Sequence, residues 1–89
     1  AHLAEAFGIN IEIHHGSNAV NDAANLHVQM AIKNTTFMEV LLPHEAWWYG
    51  LKENIEIDKD GFAHAPEKPG LGYEIDMELV ERMKIGVLE

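Results

Sequence analysis

The sequence contains no cysteine, few basic residues and no long apolar run. Without cysteine no disulfide can form, and the redox compartment is left open. Six Lys and Arg residues stand against fifteen Asp and Glu, a formal net charge of −9. Because they form no positive cluster that would bind phosphate, nucleic acid and anionic membranes are disfavoured as partners. No stretch of about twenty apolar residues could span a bilayer, and the first residues lack a signal-peptide pattern. A cytoplasmic location is therefore the default expectation.

The length of 89 residues allows at most one domain, and a hydrophobic content of 47% is ordinary for a globular protein. Two features nevertheless predict an incomplete unit. Residues 1–7 resemble the last turns of a helix without a start signal. A single pair of parallel strands is also a poor basis for a self-sufficient fold, because parallel sheets are normally covered on both faces. We therefore expect this chain to be the end of something larger.

The segment 9–14 is predicted to be a strand. Its three isoleucines alternate with polar residues, which is the period of two expected of a pleated strand. If the isoleucines pack against flanking helices, Asn10, Glu12 and His14 point to the opposite face, which in a closed barrel is the interior. His14 would then stand at the rim of that interior.

A helix of about four turns is predicted next. Gly16 and Ser17 break the strand, and Ser17 or Asn18 can cap the helix, with Asp22 near the positive end of its dipole. The predicted apolar stripe of this helix consists of Val20, Ala23, Ala24, His27 and Ala31, widened by Leu26 and Met30. A second strand at 36–41 places Glu39 at a rim as well, so the unit is a right-handed strand-helix-strand crossover.

Residues 1–50 are thus predicted to hold the strand-helix-strand portion, and residues 51–89 a carboxyl-terminal tail. Pro43 suits the start of a short helical loop. In the tail, two extended segments between 55 and 66 are joined by a turn at 58–61, in which Asp60-Gly61 is the turn signal. Asp76 can cap a last helix over 77–84.

Six histidines suggest a metal site, but none shows the close paired spacing of zinc ligands. His14 and His15 are adjacent, so on a strand they point to opposite faces and are poorly placed to bind one ion. His27 lies on the predicted apolar stripe and is expected to be a hydrogen-bonded core residue. A histidine metal site is therefore disfavoured.

His14 and Glu39 are the candidate catalytic residues, because each ends a predicted strand and the carboxyl ends of parallel strands carry the chemistry of α/β proteins. A histidine has a reference pKa of about 6.5 and can transfer protons near neutrality. The alternative is a structural histidine bonded to a loop carbonyl and a solvated glutamate. Trp47 is a weaker candidate for substrate binding. It and Trp48 follow the Glu39 strand and could line a pocket or simply cover the barrel end.

Five short stretches carry a resemblance to a known family. They are Phe7-Gly8-Ile9 with the strand ending at His14, Asn25-Leu26-His27, Phe37-Met38-Glu39, Leu42-Pro43 and Lys68-Pro69-Gly70-Leu71-Gly72. In order and spacing they resemble the carboxyl-terminal part of the mandelate racemase/muconate lactonizing enzyme family of the enolase superfamily. Within that family they are most similar to the acid-sugar dehydratases of the galactonate type. There, a histidine after the seventh barrel strand and a glutamate after the eighth are spaced like His14 and Glu39.

The resemblance implies an α/β fold, the carboxyl-terminal fragment of a (β/α)7β TIM-like barrel, comprising its last two strands, the intervening helix and a tail that packs toward a capping domain. It also implies Mg²⁺, a sugar-acid substrate and abstraction of the proton next to a carboxylate. His14 would be the catalytic acid/base and could protonate a departing β-hydroxyl. Glu39 would hydrogen-bond the substrate carboxylate as it becomes an enediolate. The full-length enzyme is expected to be a homo-oligomer.

The chain departs from the family in what it lacks. The family's acidic metal ligands, its lysine motif and the aspartate partner of its histidine belong to earlier strands. The Mg²⁺ ligands are therefore expected outside this chain, and the 89 residues alone are expected to be inactive. Two alternatives stay open: a racemase or epimerase of the same superfamily, and a small acidic interaction module that docks a partner through Trp47, Trp48 and Tyr49. The module would require a cooperative thermal transition of the isolated chain.

Overall fold

The computed structural model describes residues 1–88 as four helices joined by extended segments and loops. The helices are α1 (His2–Ala6), α2 (Ala19–Ala31), α3 (His44–Trp47) and α4 (Met77–Met83). Their positions confirm the predicted opening helix, the long helix after the first extended segment, the short helix after Pro43 and the last helix. No helix within residues 1–88 is long and apolar enough to cross a bilayer.

Helix α2 begins at a cap that the sequence predicts. Asn18 has extended backbone angles, and its side-chain oxygen accepts hydrogen bonds from the backbone N–H groups of Val20 (3.1 Å) and Asn21 (3.2 Å). These two donors would otherwise be unsatisfied at the helix start. Asp76 caps α4 in the same way, by accepting from the N–H of Leu79 at 2.9 Å. Both helix starts are therefore determined locally.

The buried face of α2 differs from the predicted stripe. The buried residues are Ala19, Asp22, Ala23, Leu26 and Gln29. Of the predicted stripe, Ala23 and Leu26 are buried, whereas Ala31 and Met30 are exposed. The prediction is confirmed in part, since Val20, Ala24 and His27 are half-buried. It missed Asp22 and Gln29 because it ranked positions by apolar character, whereas Asp22 lies beside His15 and Gln29 donates to a backbone carbonyl, which offsets part of the cost of burying them.

The two predicted strands, 9–13 and 36–41, are not strands in residues 1–88. Within the described residues no backbone hydrogen bond joins the two segments; the nearest one runs from the N–H of Ile11 to the carbonyl of Asn34 at 2.8 Å, two residues before the second segment begins. A parallel ladder needs a series of such bonds. The alternation is present over residues 11–14, because Ile11 and Ile13 are half-buried while Glu12 and His14 are exposed, but Ile9 is 58% exposed. A period of two thus indicated the faces of part of this segment correctly, but it could not show whether the segment is paired.

The small core lies where α2 meets the start of the tail. Ala19, Ala23 and Leu51 are buried together, with Val20 and Tyr73 packed against them. Backbone bonds tie the same region, since the N–H of Ala19 donates to Tyr49 and that of Asp76 donates to Gly50, both at 3.0 Å. The core therefore draws on both sides of the predicted division at residue 50, and that division stays a prediction. Glu89, the end of the predicted tail, lies outside the described residues.

The tail contains the predicted hairpin in a minimal form. Ile57 and Ala63 form an isolated antiparallel bridge, and the N–H of Asp58 donates to the carbonyl of Phe62 at 2.9 Å. Further on, Gly72 has φ +79, and a Cβ at this position would lie 2.2 Å from the Cβ of Pro66. Only glycine fits there, because both the backbone angle and the space exclude a side chain.

Candidate active site at the ends of two parallel segments

Segments 9–14 and 36–39 run side by side in the same direction. Their contacts advance in parallel order: the N–H of Ile11 donates to the carbonyl of Asn34, Glu12 accepts from the N–H of Phe37, and His14 contacts Glu39. Because the partners advance together along both segments, the ends of the segments lie next to each other. The predicted meeting of their carboxyl ends is therefore present, although the ladder is not.

Glu12 takes the place of several missing ladder bonds. Its carboxylate accepts from Thr35 Oγ1 at 2.7 Å, from the N–H of Thr36 at 3.1 Å and from the N–H of Phe37 at 3.0 Å. The bond from the Thr35 hydroxyl, followed by that from the Phe37 N–H, lowers the pKa of Glu12 below its ordinary value. An ionised Glu12 thus connects one extended segment to the next.

His14 and Glu39 form the central contact of the site. His14 Nδ1 lies 2.9 Å from Oε1 and 2.8 Å from Oε2 of Glu39. The His14 side chain is 82% exposed and that of Glu39 is 35% exposed, so the imidazole is accessible from solvent. The backbone N–H of His15 also donates to Glu39 Oε2, at 3.2 Å.

The contact between His14 and Glu39 favours an ionised Glu39 and a proton on one nitrogen of His14. Hydrogen bonds from His14 first, and then from the His15 N–H, lower the pKa of the Glu39 carboxyl. An ionised carboxylate only accepts, so His14 carries a proton on Nδ1. Nε2 is then the nitrogen that can exchange a proton with another molecule, as a base when the ring is neutral and as an acid when it is protonated.

A second histidine-carboxylate pair lies behind the first, and sequence analysis missed it. His15 Nδ1 is 3.0 Å from Asp22 Oδ1, and the two side chains are only 9% and 8% exposed. The atoms are close, but they are not aligned as a regular hydrogen bond. The sequence placed Asp22 near the dipole of α2. Its spacing with Leu26 on one helical face is the signal that could have shown it to be buried.

The aromatic residues of α3 cover the neighbouring loop. A Cβ at Gly16 would lie 3.9 Å from Trp47 Cζ3, so the Trp47 ring lies over the glycine that follows His15. Trp48 stacks on His44 with ring centroids 4.0 Å apart. Trp47 is thus near the loop that carries the candidate site, and its contact with a substrate stays a prediction.

The remaining histidines have structural partners or lie on the surface. His27 Nε2 lies 3.0 Å from the carbonyl of Leu71, which confirms the predicted hydrogen bond, although the residue is only partly buried. His64 pairs with Asp58 inside the hairpin, at 2.8 Å. Within residues 1–88, no three His, Cys, Asp or Glu side chains come together as a metal site.

Glu12 supports a prediction for the pH dependence of stability. Because its pKa is lower in the folded state, its contribution is present above its unfolded pKa of about 4.3 and is lost as the pH falls through the folded value. Glu12→Gln should therefore lower the unfolding midpoint at neutral pH, and the difference from the unsubstituted chain should shrink below about pH 4. Thermal melts of the longest natural chain containing these residues test it across this range, with the exposed Glu45→Gln as control. A constant difference at every pH would contradict it.

Three comparisons with known proteins identify the family of the chain. The family model described as "Enolase C-terminal domain-like" matches residues 1–79. The chain therefore belongs to the enolase C-terminal domain-like family, and it has the fold of that domain, which is TIM-barrel-related in the mandelate racemase/muconate lactonizing enzymes.

Two curated relatives and one solved structure are similar to the chain over most of its length. The chain is 33% identical to a D-xylonate dehydratase of Haloferax volcanii, with 91% of the chain and 20% of the relative aligned. It is 39% identical to a D-galactonate dehydratase family member of Paenibacillus sp., with 97% of the chain and 21% of the relative aligned. A crystal structure from Pseudovibrio sp., provisionally described as a mandelate racemase/muconate lactonizing enzyme, superposes with a TM-score of 0.84 at 36% identity, covering 96% of this chain and 23% of that one.

These relatives confirm the resemblance to acid-sugar dehydratases of the enolase superfamily. The chain spans about a fifth of the length of the curated relatives it matches.

Proposed function

We propose that this chain supplies the last two barrel segments and the tail of a Mg²⁺-dependent acid-sugar dehydratase, with His14 and Glu39 as its share of the active site. The observation that carries the proposal is the contact between His14 Nδ1 and the Glu39 carboxylate, 2.8 Å at its shortest, at the adjacent ends of two parallel segments. The names of the two curated relatives support the substrate class.

His14 has the geometry of a proton-transfer group. With Nδ1–H directed at Glu39, Nε2 accepts the proton from the carbon next to the substrate carboxylate. The electron pair of the broken C–H bond moves into the carboxylate to form an enediolate. That pair then expels the β-hydroxyl, which takes the proton from Nε2–H and leaves as water. The resulting enol tautomerises to a 2-keto-3-deoxy acid, and His14 is returned to its starting state.

Glu39 has two alternative roles in this scheme, one for each of its protonation states. As a carboxylate it orients His14 and stabilises the imidazolium that forms when Nε2 takes up the proton. The predicted hydrogen bond from Glu39 to the substrate carboxylate requires a proton on Glu39, because two carboxylates cannot donate to each other. Bringing a second negative charge to Glu39 favours uptake of that proton.

The Mg²⁺ of this proposal is held elsewhere. The ion prefers several oxygen ligands in near-octahedral geometry, and the described residues bring together no set of three acidic or histidine ligands. Residues 1–88 therefore do not fit a Mg²⁺ site by themselves. The roles proposed for His14 and Glu39 involve proton transfer and hydrogen bonding alone.

The partners of the chain are proposed to be the rest of the barrel and a capping domain. Large apolar side chains are exposed, including Phe7 (73%), Phe37 (75%) and Leu42 (72%). Apolar surface of this kind is typically covered by another part of the protein or by a partner. A cytoplasmic location and homo-oligomeric assembly of the full-length protein are further parts of the proposal.

A substrate screen tests the function. The longest natural chain that contains these residues should convert at least one sugar acid to a 2-keto-3-deoxy acid when Mg²⁺ is present. Pentonates and hexonates, including xylonate and galactonate, form the first panel. Products are identified by mass, since dehydration removes one water. A product of unchanged mass would instead indicate a racemase or epimerase that uses the same His14, and no turnover of any sugar acid would contradict both.

A further inference from the structure

Within residues 1–88, the His15–Asp22 pair is the one buried histidine–carboxylate contact that the proposed chemistry does not use. Both side chains are more than nine-tenths buried, and Asp22 lies in the first turn of α2, on the helix face that forms the core. A carboxylate in such a place is expensive to bury. Burial raises the pKa of Asp22, and the nearby His15 only partly offsets this effect. Asp22 is therefore not explained by a gain in stability.

His15 connects this pair to the candidate active site through its backbone. Its N–H donates to Glu39 Oε2 at 3.2 Å, while its ring contacts Asp22 at 3.0 Å. Glu39 in turn holds His14 by Nδ1. A continuous series of contacts thus runs from the buried side of α2 to the exposed imidazole of His14. In this series Asp22 restricts the position of His15, His15 restricts Glu39, and Glu39 restricts His14.

We propose that Asp22 is a positioning residue: by holding the His15 ring, it keeps the His15 N–H on Glu39 and thereby keeps the Glu39 carboxylate on His14. The proposal deepens the proposed function and rests on it for its kinetic consequence. The extended segment that carries His14 and His15 has no ladder to hold it. The buried Asp22 side chain on α2 can hold the turn between that segment and the helix in place through its contact with His15.

The same contact explains why the adjacent histidines diverge. Their side chains leave the extended backbone on opposite faces, so His14 reaches the end of segment 36–39 while His15 reaches α2. The contact with Asp22 restricts the position of the His15 backbone, and a shift of that backbone away from α2 would move the peptide between the two histidines. The His15 N–H and the His14 ring would then move together relative to Glu39.

Kinetics on the longest natural chain containing these residues tests the consequence for turnover. Asp22→Ala should lower kcat by about 10- to 100-fold with little change in KM, because a misplacement of the order of 1 Å at a reacting group has effects of this size. Asp22→Asn keeps an oxygen of the same size and position facing His15 Nδ1, so it should recover most of the lost rate. Asn21→Ala, at the adjacent helix position, is the matched control and should leave kcat unchanged.

Nuclear magnetic resonance separates this proposal from the proposed function, because it needs no turnover. With ¹³C-labelled glutamate, the Glu39 pKa should rise toward its ordinary value in Asp22→Ala as the His15 N–H moves away, and it should stay low in Asn21→Ala. With ¹⁵N-labelled histidine, the unsubstituted protein should carry a proton on His15 Nδ1, the nitrogen that faces Asp22.

The outcomes are decisive in each case. An unchanged Glu39 pKa in Asp22→Ala, or equal losses of kcat in the Ala and Asn variants, would overturn the positioning role. If Asp22→Ala does not fold, the tautomer of His15 in the unsubstituted protein tests the positioning role instead. An unprotonated Nδ1 on His15 would also overturn that role. A shifted Glu39 pKa in a protein that dehydrates no sugar acid would uphold the positioning role while the proposed function fails.

Discussion

Replacement of His14 by asparagine should lower kcat for dehydration by about 10²- to 10⁴-fold, the range associated with loss of a general acid/base. Asparagine can still donate a hydrogen bond toward Glu39, so the local contact is partly retained, but it has no group that accepts the substrate proton. Mg²⁺ affinity should be nearly unchanged, because His14 is not among the proposed ligands. Steady-state kinetics and Mg²⁺ titration of the longest natural chain containing these residues measure both quantities.

His2→Asn is the matched control for this substitution. The His2 side chain is 97% exposed and lies on α1, where its contact is with Glu5 in the same helix. This variant should keep the unsubstituted rate. A His14→Asn protein that retains the unsubstituted rate would end the acid/base assignment, and a large loss of Mg²⁺ affinity would show that His14 acts through the metal instead.

Substitution of Glu39 by glutamine should slow the chemical step more than it weakens binding, with a fall in kcat of about 10²- to 10³-fold, as for a group that stabilises developing charge. Glutamine is close to glutamate in size and keeps one accepting oxygen. It cannot carry the negative charge that favours the imidazolium of His14, nor can it take up and release a proton. The substitution should therefore lower kcat and kcat/KM by the same factor and leave KM nearly unchanged.

Glu45→Gln provides the comparison for Glu39→Gln. Glu45 lies in the first turn of α3 and is exposed, so removal of its charge changes the net charge of the chain by the same amount without touching His14. This control should behave like the unsubstituted protein. A Glu39→Gln variant with a raised KM and an unchanged kcat would assign Glu39 to ground-state binding alone.

The sequence was sufficient to predict that His14 and Glu39 lie together, although their catalytic roles remain proposals. Two extended segments separated by one helix place their carboxyl ends side by side, and His14 and Glu39 each end one segment. The structure brings these two groups to 2.8 Å. The predicted strands themselves were wrong, because alternation indicates which residues face the same side and says nothing about backbone partners. Side chains such as Glu12 make the connections that a ladder would otherwise provide.

The buried pair could not be found in the same way. Asp22 is polar and lies near a helix start, where a carboxylate is commonly a solvated residue that interacts with the helix dipole. Its burial depends on His15, seven positions earlier, turning inward from a different segment. Gln29 is similar, since its amide donates to the carbonyl of Phe37 at 3.2 Å from the buried face of α2. Polar residues with distant partners are not visible in a hydrophobic pattern.

The sequence alone determined the local features of this protein: a cap at Ser17 or Asn18, the cap at Asp76, the turn at Asp60-Gly61 and the order of the helices. These depend on hydrogen bonds and backbone angles within a few residues, so they follow from residue type and spacing. The tertiary structure decided which face of α2 is buried, how segments 9–14 and 36–39 are joined, and that Asp22 lies behind the His14–Glu39 contact. Those features depend on contacts between residues far apart in the chain. Such contacts contribute to the free energy of folding only after the segments have been brought together.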